Sequence, residues 1–386
     1  MFRKKVSPEI WQLVDSFDKI SAKYEEDLET IFSSESEKKK LFFHSLREKE
    51  KAWRTSKECI MYDCSKPSIV KSHTIQKSSS LEVIAEKGHV LTPNIDRSTG
   101  HLNMSLVGIN DASTFPGFCH EHELLFTEFE NKKELSKAKD FMLQIYRTVC
   151  REIVIKKHIN EYNSTFLERY VEFRNRKFYE LMFAEAKKQG INMESFVKPG
   201  SLQFSNLDNR EARIKANIKK LTKHLDKMNQ DFYIPFVKHL RGGNTRQMFV
   251  WEIIQLDFVL PVCLAGIGNF GCRGENGTRN VLTVLQVLPF SDKTFVVMLV
   301  PVKHQTYLAW YINKFWANDF DVINNIESWM IHGTDHWFIK PSVWNKIKPE
   351  KQQRMLNDIR DLSKNIGDTY ELDIFNDIKG ELLKGI

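Results

Sequence analysis

Three of the six cysteines in this 386-residue chain lie in one window, and a histidine follows the last of them. Cys59 and Cys64 are separated by four residues, and Cys119 and His122 by two. A pair on a tight turn and a pair on the first turn of a helix can form a tetrahedral set of three sulfurs and one nitrogen, which suits Zn²⁺. Because protein fills all four positions, the spacing predicts a structural zinc site that staples a module too small to bury much core unaided. His120 is the alternative fourth ligand, and ordinary buried thiols with surface histidines are the alternative to a metal site.

Composition sets broad limits on the class of protein. Lys and Arg number 57 against 50 Asp and Glu, so the net charge of +7 permits an acidic partner without requiring one. Six cysteines are too few for a disulfide scaffold, which favours a reducing, cytoplasmic location. The longest apolar run, 258–268, is about half of the ~20 residues that a membrane-spanning helix needs. We therefore expect no membrane partner.

The pattern of apolar, polar and turn residues along the chain predicts an α+β protein of four segments. Apolar residues at helical spacing indicate a helical N-terminal segment, 1–55, and short strands surround the Cys–His module, 56–130. A long helical region follows, 131–240, because 134–189 contains neither Pro nor Gly. Runs rich in Val, Ile, Leu and Phe, bounded by turn residues, predict a C-terminal α+β domain with an antiparallel sheet, 241–386.

The Cys–His module resembles the zinc-stapled HNH nucleases of the ββα-metal or treble-clef kind. In that family a cysteine pair precedes a strand that ends in a histidine dipeptide, and a second ligand pair opens a helix. Here the sequence Ser-His-Thr-Ile-Gln-Lys at 72–77 and the pair Cys119/His122 occupy those places. The resemblance covers about 70 of the 386 residues. The stretch 117–126 also resembles a pattern of uncharacterised bacterial proteins, some of them from phage-defence contexts.

The resemblance implies roles for three further residues. His73 would be the general base that activates water for attack on a phosphodiester. Ser72 and Glu123 would hold a catalytic Mg²⁺ or Mn²⁺, although serine is a poor substitute for the family's aspartate or histidine. The family's intermediate asparagine could be Asn103 or Asn110.

Two classes of function follow from this module. The first is metal-dependent cleavage of DNA or RNA by an antiphage effector, with a phage or host protein as trigger. The alternative is a non-catalytic, zinc-stabilised interaction or sensor protein with a degenerate HNH-like site. A third option is an enzyme whose site lies in the C-terminal sheet.

Five weaker patterns complete the sequence predictions. The basic helix 210–227 could follow a nucleic-acid backbone or form a solvated face. Its apolar seam, 214–228, fits a helical hairpin or a homo-oligomer. The Gly-x-Gly-x-x-Gly run at 266–271 predicts a hairpin loop, since no helix follows it to bind a dinucleotide. His332 and His336 are predicted to lie in a loop, and the C-terminal aromatics to form core.

Overall fold

The computed structural model describes most of the chain. The described residues are 8, 11–12, 14–19, 34–96, 100–192, 209–242, 248–274, 277–361, 363–367, 370 and 374–384. The chain divides into two compact units: unit 1 is Met1–Ala52 with Lys156–Leu225, and unit 2 is Trp53–Ile155 with Asp226–Ile386. These boundaries differ from the four segments predicted from the sequence.

Twelve α-helices are labelled here in chain order among the described residues. They are α1 Glu35–Trp53, α2 Glu82–Ile84, α3 His120–Glu123, α4 Thr127–Lys132, α5 Ala138–Lys188, α6 Asn209–Met228, α7 Ile234–Leu240, α8 Gln305–Phe315, α9 Asp319–Ser328, α10 Pro341–Lys346, α11 Pro349–Asp358 and α12 Asn376–Lys384. Helix α5 has 51 residues, as expected of a segment without helix breakers. It contributes residues to both units.

Nine strands form two sheets among the described residues. They are β1 Ser72–His73, β2 His89–Ile95, β3 Leu102–Gly108, β4 Thr114–Phe115, β5 Phe249–Leu256, β6 Val262–Gly274, β7 Gly277–Pro289, β8 Thr294–Pro301 and β9 Trp337–Ile339. Strands β1 and β4 pair alone, and the other seven form one sheet in the order β3-β2-β9-β6-β7-β8-β5. Every pairing is antiparallel, which confirms the predicted α+β class and the antiparallel C-terminal sheet.

The large sheet is not confined to the C-terminal segment. The β2–β3 hairpin, which belongs to the predicted zinc module, joins it where Leu91 pairs with Ile339 of β9. Strand β8 is buried at all eight positions, so both faces of the sheet are covered there. Its near-continuous apolar sequence reflects that double burial.

The C-terminal aromatics form core, as predicted. Trp329 and Tyr311 are fully buried, and the Trp329 indole donates to the Tyr311 hydroxyl at 2.9 Å. Trp316 donates to Asn325 Oδ1 at 3.0 Å in the same cluster. These bonds satisfy polar atoms that would otherwise be costly to bury.

The glycine run at 266–271 lies inside β6, so the predicted hairpin loop is wrong. A Cβ on Gly266 would lie 2.2 Å from Thr334 Oγ1, and one on Gly268 would lie 3.2 Å from the Gly333 carbonyl oxygen. The glycines therefore allow another backbone to approach the sheet closely. Next to this contact His336 is buried, with its Nδ1 2.6 Å from the Ala265 carbonyl oxygen.

Unit 1 is built from helices in its described part. Residues 11–12 and 14–19 are helical, as predicted, whereas 20–33 and the predicted loop at 193–208 lie outside the described residues. A buried ion pair joins Arg174 to Glu211 at 2.5 Å. The seam of α6 is half-buried at Ile214 and buried at Leu225, and the predicted homo-oligomer stays a prediction. No described helix has the length and apolar character needed to cross a membrane.

Candidate metal centre

The first ligand pair lies on a tight turn before β1. The Cys59 amide donates to the Lys66 carbonyl at 2.9 Å, and the Cys64 amide donates to the Met61 carbonyl at 3.2 Å. Asp63 adopts a left-handed conformation with φ of 60°, which reverses the chain between the two cysteines. The turn therefore brings both thiols to one side.

The second pair lies at the start of α3. Cys119 is the extended residue that caps this helix, and its carbonyl accepts from the Glu123 amide at 2.9 Å. His122 follows one turn later, so its imidazole lies beside the Cys119 thiol. His120, the alternative ligand, is exposed and lies outside the cluster.

The short β1–β4 ladder and two further bonds join the pairs. Ser72 pairs with Phe115, and His73 with Thr114. The Ile60 amide donates to the Gly117 carbonyl, and the Ile69 amide to the Phe118 carbonyl, each at 2.8 Å. A Cβ on Gly117 would lie 2.1 Å from the Phe115 ring, so only glycine fits this crossing.

All four predicted ligands converge. Their donor atoms, three Sγ and His122 Nδ1, lie within 4.8 Å of one another. His122 Nδ1 is 3.4 Å from Cys59 Sγ and 3.3 Å from Cys119 Sγ, and the Sγ atoms of Cys64 and Cys119 are 3.9 Å apart. Tetrahedral bonds of about 2.3 Å to sulfur and about 2.0 Å to nitrogen would separate donor atoms by roughly 3.5–3.8 Å. The four residues therefore lie close enough to bind a metal ion, and the spacing is compatible with structural zinc.

The protonation of the thiols differs across the cluster. Burial raises the pKa of the Cys59 thiol to about 11. Burial also acts to raise the pKa of Cys119, but the amides of His122 and Glu121 and the adjacent thiols outweigh it, so that pKa is lowered. Metal ligation requires thiolates, so binding an ion releases the remaining thiol protons.

The module has an aromatic core of its own, contrary to the expectation that it is too small to bury much. Phe115, Phe118 and Phe126 are fully buried, and Phe118 lies 5.0 Å from Phe126 and 6.2 Å from Tyr146 of α5 between ring centroids. Gln144 of α5 also donates to the Thr74 carbonyl at 2.8 Å. The centre thus sits on a packed base within unit 2.

Ser72 is a buried residue of β1. Its side chain is fully buried, and its Oγ accepts a hydrogen bond from the Phe118 amide at 3.4 Å. The hydroxyl therefore links β1 to the segment before Cys119.

His73 is half-buried at the end of β1, and its Nε2 lies 3.2 Å from the Ile109 carbonyl oxygen. A carbonyl can only accept, so Nε2 carries the proton and Nδ1 keeps the lone pair in the neutral ring. Burial lowers the pKa of His73, and the positive charge of Arg147 lowers it further.

Glu123 is held by Arg147, a residue that the sequence analysis missed. Arg147 donates to Glu123 Oε1 and to Glu130 Oε1, each at 2.6 Å, and its guanidinium lies 4.2 Å from the centre of the Phe126 ring. The Arg147 side chain is 1% exposed, against 21% for Glu123 and 28% for Glu130. The first part of α5 is buried on all sides. The spacing of apolar residues along the sequence therefore cannot indicate that a cation is buried there.

The predicted catalytic residues are not grouped as a second metal cluster among the described residues. Ser72 is committed to a backbone amide, and one oxygen of Glu123 is committed to Arg147. Across the described residues, no other group of three or more His, Cys, Asp or Glu donors lies close enough to hold a metal. Catalytic Mg²⁺ or Mn²⁺ is therefore not supported by the donor set.

Comparison with known proteins yields no relative: no family model, curated protein or solved structure matches the chain. The function of the centre is therefore inferred from its own chemistry.

Proposed function

We propose that Cys59, Cys64, Cys119 and His122 bind one structural Zn²⁺. Three thiolates and an imidazole form a donor set of the softness and number that zinc takes in closed structural sites. The two pairs come from segments 55 residues or more apart, so the ion would tie the start of the module to its end.

We further propose that the chain is a zinc-stabilised interaction protein whose HNH-like site is degenerate, and that its partner is nucleic acid. The observation that carries this is the commitment of both metal-holding positions, Ser72 to the Phe118 amide and Glu123 to Arg147. The net charge supports a polyanionic partner, because unit 1 carries 26 Lys and Arg against 19 Asp and Glu. Unit 2 is neutral, with 31 of each sign.

Purified full-length protein tests this directly. Elemental analysis gives the metal content, and plasmid DNA and structured RNA are incubated with the protein in Mg²⁺ and in Mn²⁺. The expected result is one zinc per chain, oligonucleotide binding and no cleavage above the buffer control. Cleavage that copurifies with the protein and disappears in His73→Ala, with zinc retained, would contradict the proposal.

The second candidate function is an active HNH-like nuclease of antiphage defence, and one observation favours it. His73 has the tautomer of a general base: Nε2–H is fixed on the Ile109 carbonyl, and Nδ1 can accept a proton from water. The lowered pKa keeps this imidazole neutral near pH 7. In this candidate Glu123 binds a divalent ion through Oε2, which has no hydrogen-bond partner among the described residues, or after Oε1 is released from Arg147.

Arg147→Lys separates the two candidates. Lysine cannot donate to both carboxylates in the same fork geometry, so the hold on Glu123 is weakened. The nuclease candidate expects Mg²⁺-dependent cleavage to increase in this variant and to vanish when His73→Ala is added. The degenerate-site proposal expects neither protein to cleave.

A further inference from the structure

A groove in unit 1 carries a basic lining that the zinc centre does not explain. It has a volume of about 960 Å³ and is lined by α1 and the unit 1 part of α5. The charged and titratable residues that line it are Lys40, His44, Arg47, Arg169, Glu172 and Arg176. Glu172 is the one carboxylate in this lining. The groove therefore has a strong excess of positive charge.

Helical spacing places the basic residues of the groove in two rows, one on each helix. Lys40, His44 and Arg47 follow one another at steps of four and three along α1, which puts them on one face. On α5, Arg169 and Arg176 are seven residues apart and share a face, and the carboxylate of Glu172 lies on that face between them. Each row spans about 10 Å at a rise of ~1.5 Å per residue.

The cations of the groove differ in how far the protein already neutralises them. Arg169 pairs with Glu48, and His44 lies 3.6 Å from the same carboxylate. Lys40, Arg47 and Arg176 are exposed and form no ion pair with any carboxylate in the described parts of the chain. The Arg176 guanidinium lies 5.6 Å from the centre of the Phe173 ring. Three cations are thus available to an outside anion.

Apolar side chains also line the groove. They are Leu41, Phe43 and Phe173. A lining that combines cations with apolar and aromatic side chains suits a chain that has charged phosphates and apolar base or sugar faces. An acidic peptide offers charge without that apolar face.

We propose that this groove binds the phosphodiester backbone of a nucleic acid. Lys40, Arg47 and Arg176 contact the phosphates and release their condensed counterions, so the affinity falls as salt rises. The proposal rests on the proposed nucleic-acid partner but not on zinc or on His73, because the groove belongs wholly to unit 1.

The test compares two full-length charge-reversal variants that change the net charge equally. The groove variant is Lys40→Glu/Arg47→Glu/Arg176→Glu. The control variant is Lys238→Glu/Lys348→Glu/Lys364→Glu, whose three lysines are exposed and belong to unit 2. Binding of fluorescein-labelled 30-nucleotide single-stranded DNA, single-stranded RNA and duplex DNA is followed by anisotropy between 50 and 200 mM NaCl. Circular dichroism, melting temperature and zinc content are measured for every variant.

The groove variant is expected to lose at least tenfold in affinity at 100 mM NaCl. The slope of log binding constant against log NaCl concentration should be smaller in magnitude than the slope of wild type by about 2–3. Each lost phosphate contact removes ~0.7–0.9 from that slope. The control variant is expected to stay within threefold of wild type. Equal losses in the two variants, or unchanged binding in the groove variant, would overturn the proposal.

Two further measurements test which class of ligand the groove binds and whether binding depends on the zinc site. Polyglutamate at matched charge is used as a competitor, and competition equal to that of unlabelled DNA would also overturn the proposal, because the groove would then recognise charge alone. Binding by Cys119→Ser protein, even without zinc, would support the groove while contradicting any zinc-dependent interface. A wild-type protein that holds zinc but binds no oligonucleotide would overturn the groove and leave the zinc site standing.

Discussion

Unit 1 and unit 2 differ in their balance of charge. Unit 2 is neutral overall and buries Arg147 between two carboxylates beside the metal centre. Unit 1 carries the whole excess of +7, and three cations of its groove have no carboxylate partner among the described residues. Arg147 thus holds the Cys–His module together, whereas these three cations of unit 1 are available to a ligand. The net charge of the chain therefore comes entirely from unit 1. It gives no information about the function of the Cys–His module.

Loss of the metal should give the largest difference between the units. In Cys119→Ser we expect zinc to be lost and the melting temperature of the protein to fall by at least about 10 °C, at roughly 2–4 °C per kcal/mol for units of this size. Structural zinc supplies on the order of 10 kcal/mol of apparent binding free energy in small domains, and the aromatic core here offsets part of its loss.

Hydrogen exchange localises that effect. Protection should fall at the turn 59–64 and in β1 of the Cys119→Ser protein, while the α6 amides of unit 1 keep theirs. The matched control is His120→Ala, which removes an exposed imidazole next to the same ligand and should keep both zinc and protection. Equal loss of protection in both units would contradict a local effect of the metal centre in unit 2.

Removal of Arg147 should have the next largest effect. Arg147→Ala leaves Glu123 and Glu130 without their shared cation, and breaking a buried pair in this way costs about 3–5 kcal/mol of unfolding free energy. Chemical denaturation measures it. The triple variant Arg147→Met/Glu123→Gln/Glu130→Gln removes all three charges and should recover a large part of the loss. A single variant as stable as wild type would show that the ion pairs contribute nothing.

The pH dependence of His73 should be smaller. Because burial lowers the pKa of His73 in the folded protein below its ordinary 6.5, the unfolded chain binds more protons just below that pH. Its contribution to stability is therefore present above pH 6.5 and is lost as the pH falls. His73→Gln keeps a donor for the Ile109 carbonyl but does not titrate. The advantage of wild type over His73→Gln in unfolding free energy should shrink from pH 7.5 to pH 5.5, and a constant or growing difference would refute the assignment.

The groove variant should have the smallest effect on stability. Lys40, Arg47 and Arg176 are exposed, and substitutions at such sites usually change the unfolding free energy by less than about 0.5 kcal/mol. The melting temperature should therefore stay close to wild type even though nucleic-acid affinity falls. A large destabilisation would mean that these residues support the fold of unit 1.

The sequence predicted the local parts of the fold and the clustering of the four candidate metal ligands, for physical reasons. Ligand spacing is a local property, so Cys59, Cys64, Cys119 and His122 could be grouped without coordinates. Helix α5 followed from the absence of breakers over a long segment. Strand pairing between distant segments is not encoded locally, so nothing in the sequence indicated that Leu91 pairs with Ile339.

The rest of the site depended on tertiary contacts. Ser72 and Glu123 were matched by position in a motif, but their partners, the Phe118 amide and Arg147, come from other segments of the chain. The glycines of β6 match a nucleotide-binding pattern by letters alone, and the contact with Thr334 shows their role. The basic groove escaped notice because Lys40 and Arg176 are far apart in sequence and meet only when α1 packs beside α5.

The metal content of the purified wild-type protein, compared with Cys119→Ser and His120→Ala, is the most direct measurement. One zinc per chain in wild type and in His120→Ala, and none in Cys119→Ser, is the result expected. A wild-type protein that is fully folded and free of zinc after preparation without chelators would contradict the central claim.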